Sequence, residues 1–462
     1  MKKIDRCGLP GRFKAWLYQH ALLPRLIWPM MLYDIPSTEV EALERLTSRH
    51  LRKWLGIPPS FTSIGLYGKS NKLQLPLSSL VEEFKTAKTR LVLTVRDSPD
   101  EVISGAGILT RTGRKWSAAE SVSQAESTLK HRDIVGITAV GRQGIGATKT
   151  VLWSRSDQKE RRAMIQSEIR RTEEHARQAK AFEMGAQGAW TTWNTTDRKL
   201  SWADIWKYQP QRLSFLLRSV YDLLPSPANL ARWGLIDDPK CSLCDKPGTL
   251  EHVLSSCPTS LTDGRYRWRH DTVLRELADW LETERKKDRR STPQHGQVFI
   301  KAGETVTKGG KQQASILDGT TGWNMEVDLG KRLVFPDIVQ TTLRPDIVLW
   351  SRTGKKLIAI ELTVPWETRC EEAYERKRAK YTELMETCRN QGWHTWLFPV
   401  EVGVRGFCAQ SGHRLMTAVG TTGRDRRKAI GKLSQAAERA SSWLWIRRME
   451  KSWKPSTNTQ CS

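Results

Sequence analysis

The sequence lacks any apolar run long enough to cross a bilayer. Its most apolar early stretch, residues 22–33, is interrupted by Pro24, Arg25 and Pro29 and falls well short of the roughly 20 residues that a spanning helix needs. No secretory signal is visible, so the thiols are expected to stay reduced, and clustered cysteines read as metal ligands before disulfides. Of the eight cysteines, Cys7, Cys370, Cys388, Cys408 and Cys461 are scattered and read as ordinary thiols. An aromatic-x-Asp-Asp polymerase signature is missing throughout, which removes any basis for assigning reverse transcription to these residues. Residues 141–149 look like a phosphate loop but have Ala147 where that loop needs a lysine after its last glycine, so they read as a flexible connection.

What the chain does have is positive charge. Lys and Arg number 75 against 50 acids, a formal net charge of +25. An excess of that size points to a polyanionic partner, DNA or RNA, ahead of a membrane surface. Its 462 residues exceed one compact core and imply two to four packed units.

Helical spacing runs through residues 40–55 and stops at Gly56-Ile57-Pro58-Pro59, as expected of a packed bundle. Residues 101–150 are rich in Gly, Ser and Thr, and residues 154–180 form a highly charged helical stretch, either a solvated face or a phosphate-contacting arm. Most of the 20 tryptophans are expected in cores, with base stacking by the basic front half as the alternative.

Cys241, Cys244, His252 and Cys257 form a C-x2-C-x7-H-x4-C array. The two residues between the first pair make a tight knuckle, and His252 and Cys257 follow on a short helix starting near Thr249. Four such ligands suit tetrahedral zinc and fill every position, so the metal is expected to be structural. Lys246, Arg265, Arg267 and Arg269 lie close in sequence and are expected on a phosphate backbone.

A second constellation starts at Arg344-Pro345-Asp346. Apolar runs 347–350 and 357–364 flank Thr353-Gly354 and read as a hairpin. A turn centred there sets Asp346 directly opposite Glu361, and facing carboxylates roughly 5 Å apart repel unless something neutralises them. Magnesium, a hard cation with oxygen ligands, would do so and would activate water for phosphodiester cleavage. In the following helix, residues 367–390, Lys377 falls on the inward stripe with Lys380 beside it. Either ammonium would meet the acid pair or the phosphate.

The cysteine array, the stretch from Arg265 to His270 and Asp271, and Arg344-Pro345-Asp346 with Glu361 resemble the site-specific non-LTR retrotransposons that carry a restriction-like endonuclease. The likeness covers residues 201–406. It implies a PD-(D/E)XK-type nuclease that cuts target DNA to prime reverse transcription, with Asp346 and Glu361 as metal-binding acids. The motif's lysine would fall at position 363, where this chain has Thr363; the family resembles this chain in drawing that lysine from the next helix, which matches Lys377 or Lys380. Arg344 joins the arginines above as a nucleic-acid contact.

The expected fold is multi-domain, with a helical N-terminal half, a small CCHC zinc motif and an α/β restriction-endonuclease-like domain holding a small mixed sheet. Residues 1–100 resemble a reverse-transcriptase thumb and connector, 101–198 a charged linker and helix, and 199–260 a helical lead-in with the zinc motif. Residues 261–408 hold the nuclease and 409–462 a basic helical tail. In the nuclease, a helix over 265–287 turns Val273, Leu274, Leu277 and Leu281 inward, with Glu276 on the metal or at the surface. Strands are expected at 298–301, 323–329, 347–350, 357–364 and 393–402. Basic runs at 285–290 and 424–428 fit nuclear import or DNA contacts. Two functions follow: a DNA endonuclease, or a truncated nucleic-acid-binding remnant that never cuts.

Overall fold

A computed structural model describes residues 1–105, 110–135, 153–287 and 315–453, together with the backbone of 137–141 and 144–148. They divide into two compact units, one of Met1–Thr191 with Arg198–Leu223 and one of Thr192–Asp197 with Leu224–Ser462. No described helix is long and apolar enough to cross a membrane.

The first unit is helical. Helix α1 spans Leu23–Leu32 and α2 spans Ser37–Leu55. Gly56 ends α2 with φ 68°, a left-handed cap that glycine adopts without a Cβ penalty, and the prolines behind it bar continuation. Helix α3, Leu80–Arg96, starts at Ser79, whose hydroxyl accepts from Glu82 N at 3.2 Å. Helices α4, Ala118–Val135, and α5, Gln158–Glu183, pack with it. Leu93, Val122, Leu129, Trp153, Ile165 and Ile169 make the shared core.

The charged helix expected within 101–198 is present as α5, but the span around it is packed structure where a linker was expected. Ile165 and Ile169, one turn apart, give α5 a narrow apolar seam inside a charged sequence, and that seam is buried. Much of its charge is spent on neighbours: Arg170 on Glu83 at 2.9 Å, Arg177 on Glu82 at 2.7 Å, and Arg132 of α4 on Glu168 at 2.5 Å. The connection expected at 141–149 includes one of two short antiparallel strands, Ile137–Gly141 and Gly144–Thr148. Helix α6, Pro210–Val220, completes the unit by burying Leu213, Phe215, Leu216 and Leu217.

In the second unit, α7 spans Arg265–Lys286 and buries Val273, Leu274, Leu277 and Leu281. Strands β1 (Trp323–Val327), β2 (Ile347–Ser351), β3 (Lys356–Thr363) and β4 (His394–Glu401) form one mixed sheet in that order. The first three are antiparallel, while β4 runs parallel to β3. That parallel return needs a crossover, supplied by α8, Cys370–Asn390. Strands β2 and β3 are covered on both faces, which is why they read as continuous apolar runs. Tyr381, Leu384, Met385 and Cys388 of α8 pack on Val348, Leu357 and Ala359.

The basic helical tail expected over 409–462 is helical, as α9, Gln410–Ala418, and α10, Gly423–Ile446, but both helices have buried faces. Helix α10 packs along α7 and buries Leu433 and Leu444 together with Ala429, Ala436, Ala437 and Ala440, whose small side chains allow close approach. The expected 199–260 segment is likewise divided, with residues through Leu223 in the first unit and Leu224 onward in the second. The strand expected at 298–301 and the end of the basic run 285–290 lie outside the described residues.

Candidate metal centres

Cys241 and Cys244 sit on a tight turn closed by Cys241 N to Lys246 O at 2.7 Å and Asp245 N to Cys241 O at 3.1 Å. Asp245 takes φ 56° at its corner. His252 follows on a short irregular helix whose entry is fixed by Thr249 Oγ1, which accepts from His252 N at 3.1 Å. One ligand atom from each of Cys241, Cys244, His252 and Cys257 lies within 4.8 Å of all the others. Cys244 Sγ is 3.1 Å from His252 Nε2 and 3.6 Å from Cys257 Sγ, spacings of the order expected around one tetrahedral ion with bonds of roughly 2.0–2.3 Å. Burial pushes the Cys241 thiol up to about 11, a penalty that a bound divalent cation would reverse. Burial, with Lys246 nearby, lowers the pKa of His252 and favours the neutral ligand form. This Cys3His cluster can hold a metal such as zinc.

The cluster is tied to α7. Tyr266 accepts from Cys257 N and shares its hydroxyl with the carbonyls of His252 and Val253, all at 3.1 Å. Arg269 reaches Leu254 O at 2.6 Å, and also Ser441 Oγ and Val364 O. Arg265 pairs with Asp263 at 2.9 Å and caps the carbonyls of Arg447 and Glu450. Both arginines are 2% exposed, which corrects the expectation that they touch phosphates: their charge holds α7 to the zinc region and to the end of α10. Arg267 is half-exposed but paired with Asp271 at 2.9 Å. Arg344 is exposed, with Nη1 on Lys331 O at 2.9 Å.

The hairpin register runs from Ile347 opposite Ile360 to Ser351 opposite Lys356. One step past its open end, Asp346 and Glu361 come together, 7% and 3% exposed. Asp346 N donates to Glu361 Oε2 at 3.2 Å, and Leu362 N donates to Asp346 Oδ2 at 2.8 Å. Burial, followed by the Asp346 charge, raises the pKa of Glu361 against the opposing pull of Lys377. The two lysines of α8 separate here. Lys377 Nζ lies 2.5 Å from Glu361 Oε1, whereas Lys380 Nζ donates to Tyr381 Oη at 3.0 Å. Tyr381 in turn donates to Arg344 O at 2.8 Å, which fixes the residues leading into Asp346.

Two neighbours of the acid pair were given no place beside it by the sequence reading. His270 Nε2 lies 3.2 Å from both Asp346 Oδ2 and Leu362 O, and its Nδ1 lies 3.0 Å from Asp271 Oδ1. Burial opposes its charge, but Asp271 and Asp346 outweigh that and raise its pKa to about 9. Asp328, 6% exposed, donates its N–H to Asp346 O at 2.8 Å. His270 stands one turn before the first inward residues of α7, a signal available once the helix phase was known. Asp328 offered none, since it follows β1 in an irregular turn. Glu276 faces Arg439 at 3.8 Å, away from the acids. Two residues after Glu361, the buried Thr363 hydroxyl has no hydrogen-bond partner among the described residues. Among the described residues, the Cys3His set is the one group of three or more metal-competent side chains gathered within 4.8 Å; the acid pair contributes two.

Of the tryptophans, Trp54, Trp153, Trp190, Trp193, Trp323 and Trp445 are buried, whereas Trp28, Trp206 and Trp233 are exposed. No protein-family model matches the chain, and no curated protein matches it.

Proposed function

We propose that the second unit is a magnesium-dependent DNA endonuclease, the restriction-like nuclease of a non-LTR retrotransposon protein, nicking target DNA to prime reverse transcription. The observation that carries this reading is the buried meeting of Asp346 and Glu361 at the open end of a stiff hairpin, with Lys377 on Glu361. The order helix, three antiparallel strands, helix, parallel strand supports the restriction-like description of the fold.

The donor set fits magnesium: two carboxylates and the nearby Leu362 carbonyl are hard oxygens, and this ion fills its remaining positions with water. Bound there, it would polarise a phosphodiester and lower the pKa of a water molecule. Lys377 orients Glu361 and supplies positive charge where the phosphate gains negative charge during attack. Leu362 N and His270 hold Asp346 from two sides, so the acid need not reorganise. Zinc in the Cys3His cluster would be structural, because four protein ligands leave no open position. Through Tyr266 and Arg269 it would fix α7, and with it His270. The remaining parts of the proposal rest on the sequence resemblance and the basic charge: target DNA and the element's own RNA as partners, and a nuclear location.

A second reading is favoured by one observation. His270 and Lys377 already place cationic partners on Asp346 and Glu361, as expected of a remnant that binds nucleic acid without cutting it. Supercoiled-plasmid nicking with magnesium separates the two. Endonuclease function requires nicked product from the wild type, suppressed by chelator and by Asp346→Ala; equal traces from both proteins would leave the binding-only reading.

A further inference from the structure

The first unit carries a cleft of about 970 Å³ along one face of α2. Arg45, Arg49 and Lys53 recur on that face at four-residue steps, and Lys180 of α5 joins them in the lining. The acids beside them are already engaged. Asp5 accepts from Trp54 Nε1 at 2.8 Å and Lys53 Nζ at 2.9 Å, which hold its carboxyl down at about 2. Glu44 takes Ser79 Oγ at 2.5 Å and Val81 N at 2.9 Å, and Glu41 pairs with Lys115 at 2.7 Å. Arg45, Arg49 and Lys180, by contrast, are exposed and make no hydrogen bond or ion pair with any described residue.

We propose that this cleft binds the phosphodiester backbone of a nucleic acid. Four helical residues rise about 6 Å, so Arg45 and Arg49 present two forked donors in series, each able to take a phosphate bidentately. Among the described residues no Trp, Tyr or Phe lines the cleft, so recognition through the backbone is sequence-independent and salt-sensitive. The site lies wholly within the first unit and does not depend on Asp346 or Glu361.

The test uses the full chain carrying Asp346→Ala, so that no cleavage intrudes. Fluorescent single-stranded RNA, single-stranded DNA and duplex DNA of one sequence are titrated over a range of salt. The variant Arg45→Ala, Arg49→Ala, Lys180→Ala is compared with a charge-matched control, Arg114→Ala, Lys130→Ala, Lys159→Ala. The cleft variant is expected to lose about tenfold or more in affinity and about 2 to 3 in salt slope, with the control nearly unchanged. The three probes identify which nucleic acid is preferred. Arg45→Lys with Arg49→Lys keeps the charge and is expected to hold the wild-type salt slope while losing the part of the affinity that the bidentate forks supply. Bound oligonucleotide is also expected to shield Lys180 from acylation. Equal losses in cleft and control variants, an unshielded Lys180, or equally effective competition by polyglutamate would overturn the proposal.

Discussion

Asp346 and Glu361 are locked to each other through the backbone: Asp346 N donates to Glu361 Oε2, and the amide after Glu361 returns to Asp346 Oδ2. Two carboxylates fixed this way cannot swing apart to relieve their repulsion, so the site is built to keep negative charge in one place. Counter-charge then decides what the site does.

Lys377 and Lys380 provide one test of that idea. Of these two lysines Lys377 is the one on the acid pair, so in the nicking assay Lys377→Met is expected to slow the reaction about 100-fold, the scale of losing one charge-stabilising donor. Lys380→Met, which loses a bond to Tyr381 alone, is expected to stay within about threefold on the same scale.

The Cys3His cluster should behave as a folding element. Native mass spectrometry is expected to find one zinc per chain, lost in Cys257→Ser. Removing it should lower the melting temperature and loosen α7, because Tyr266 ties that helix to the cluster backbone. A fully folded, equally stable zinc-free protein would contradict this.

Arg269 distinguishes a structural arginine from a phosphate contact. Burial lowers its pKa to about 10, yet its three acceptors are a side-chain oxygen and two carbonyls of neighbouring elements. Arg269→Met is expected to cost about 2–4 kcal/mol in denaturant unfolding. Its effect on the salt dependence of DNA binding should be negligible.

Glu401 sets a pH dependence of stability. It is 1% exposed, one oxygen accepts from Ser411 at 2.6 Å and the other has no partner among the described residues; burial raises its pKa from 4.5 to about 7. The folded state therefore binds this proton more tightly than the unfolded chain, so its contribution falls as pH rises from about 4.5 to about 7. Above that range Glu401→Gln is expected to be more stable than wild type by about 1–3 kcal/mol. At pH 4, urea denaturation should find the two nearly equal.

Much of the second unit was legible because its signals are local. A short turn with apolar runs on both sides fixed the hairpin register, and a C-x2-C knuckle followed by His and Cys fixed the cluster. Helix α10 was harder to place as packed structure, since alanine and serine make up most of its buried face inside a basic sequence and give little hydrophobic contrast. In α5 the same masking came from paired charges around Ile165 and Ile169. The arginines of α7 misled for a different reason: charge announces a polyanion only when it is exposed, and burial depends on partners such as Ser441 and Glu450 that lie far away in sequence.

A divalent ion held between Asp346 and Glu361 can be replaced by manganese, which electron paramagnetic resonance detects directly. Zinc-loaded wild-type protein is expected to bind one manganese per chain, and Asp346→Asn with Glu361→Gln should abolish that binding while zinc content and melting temperature persist. Manganese binding that is absent from the wild type, or unchanged in the double variant, would contradict the account.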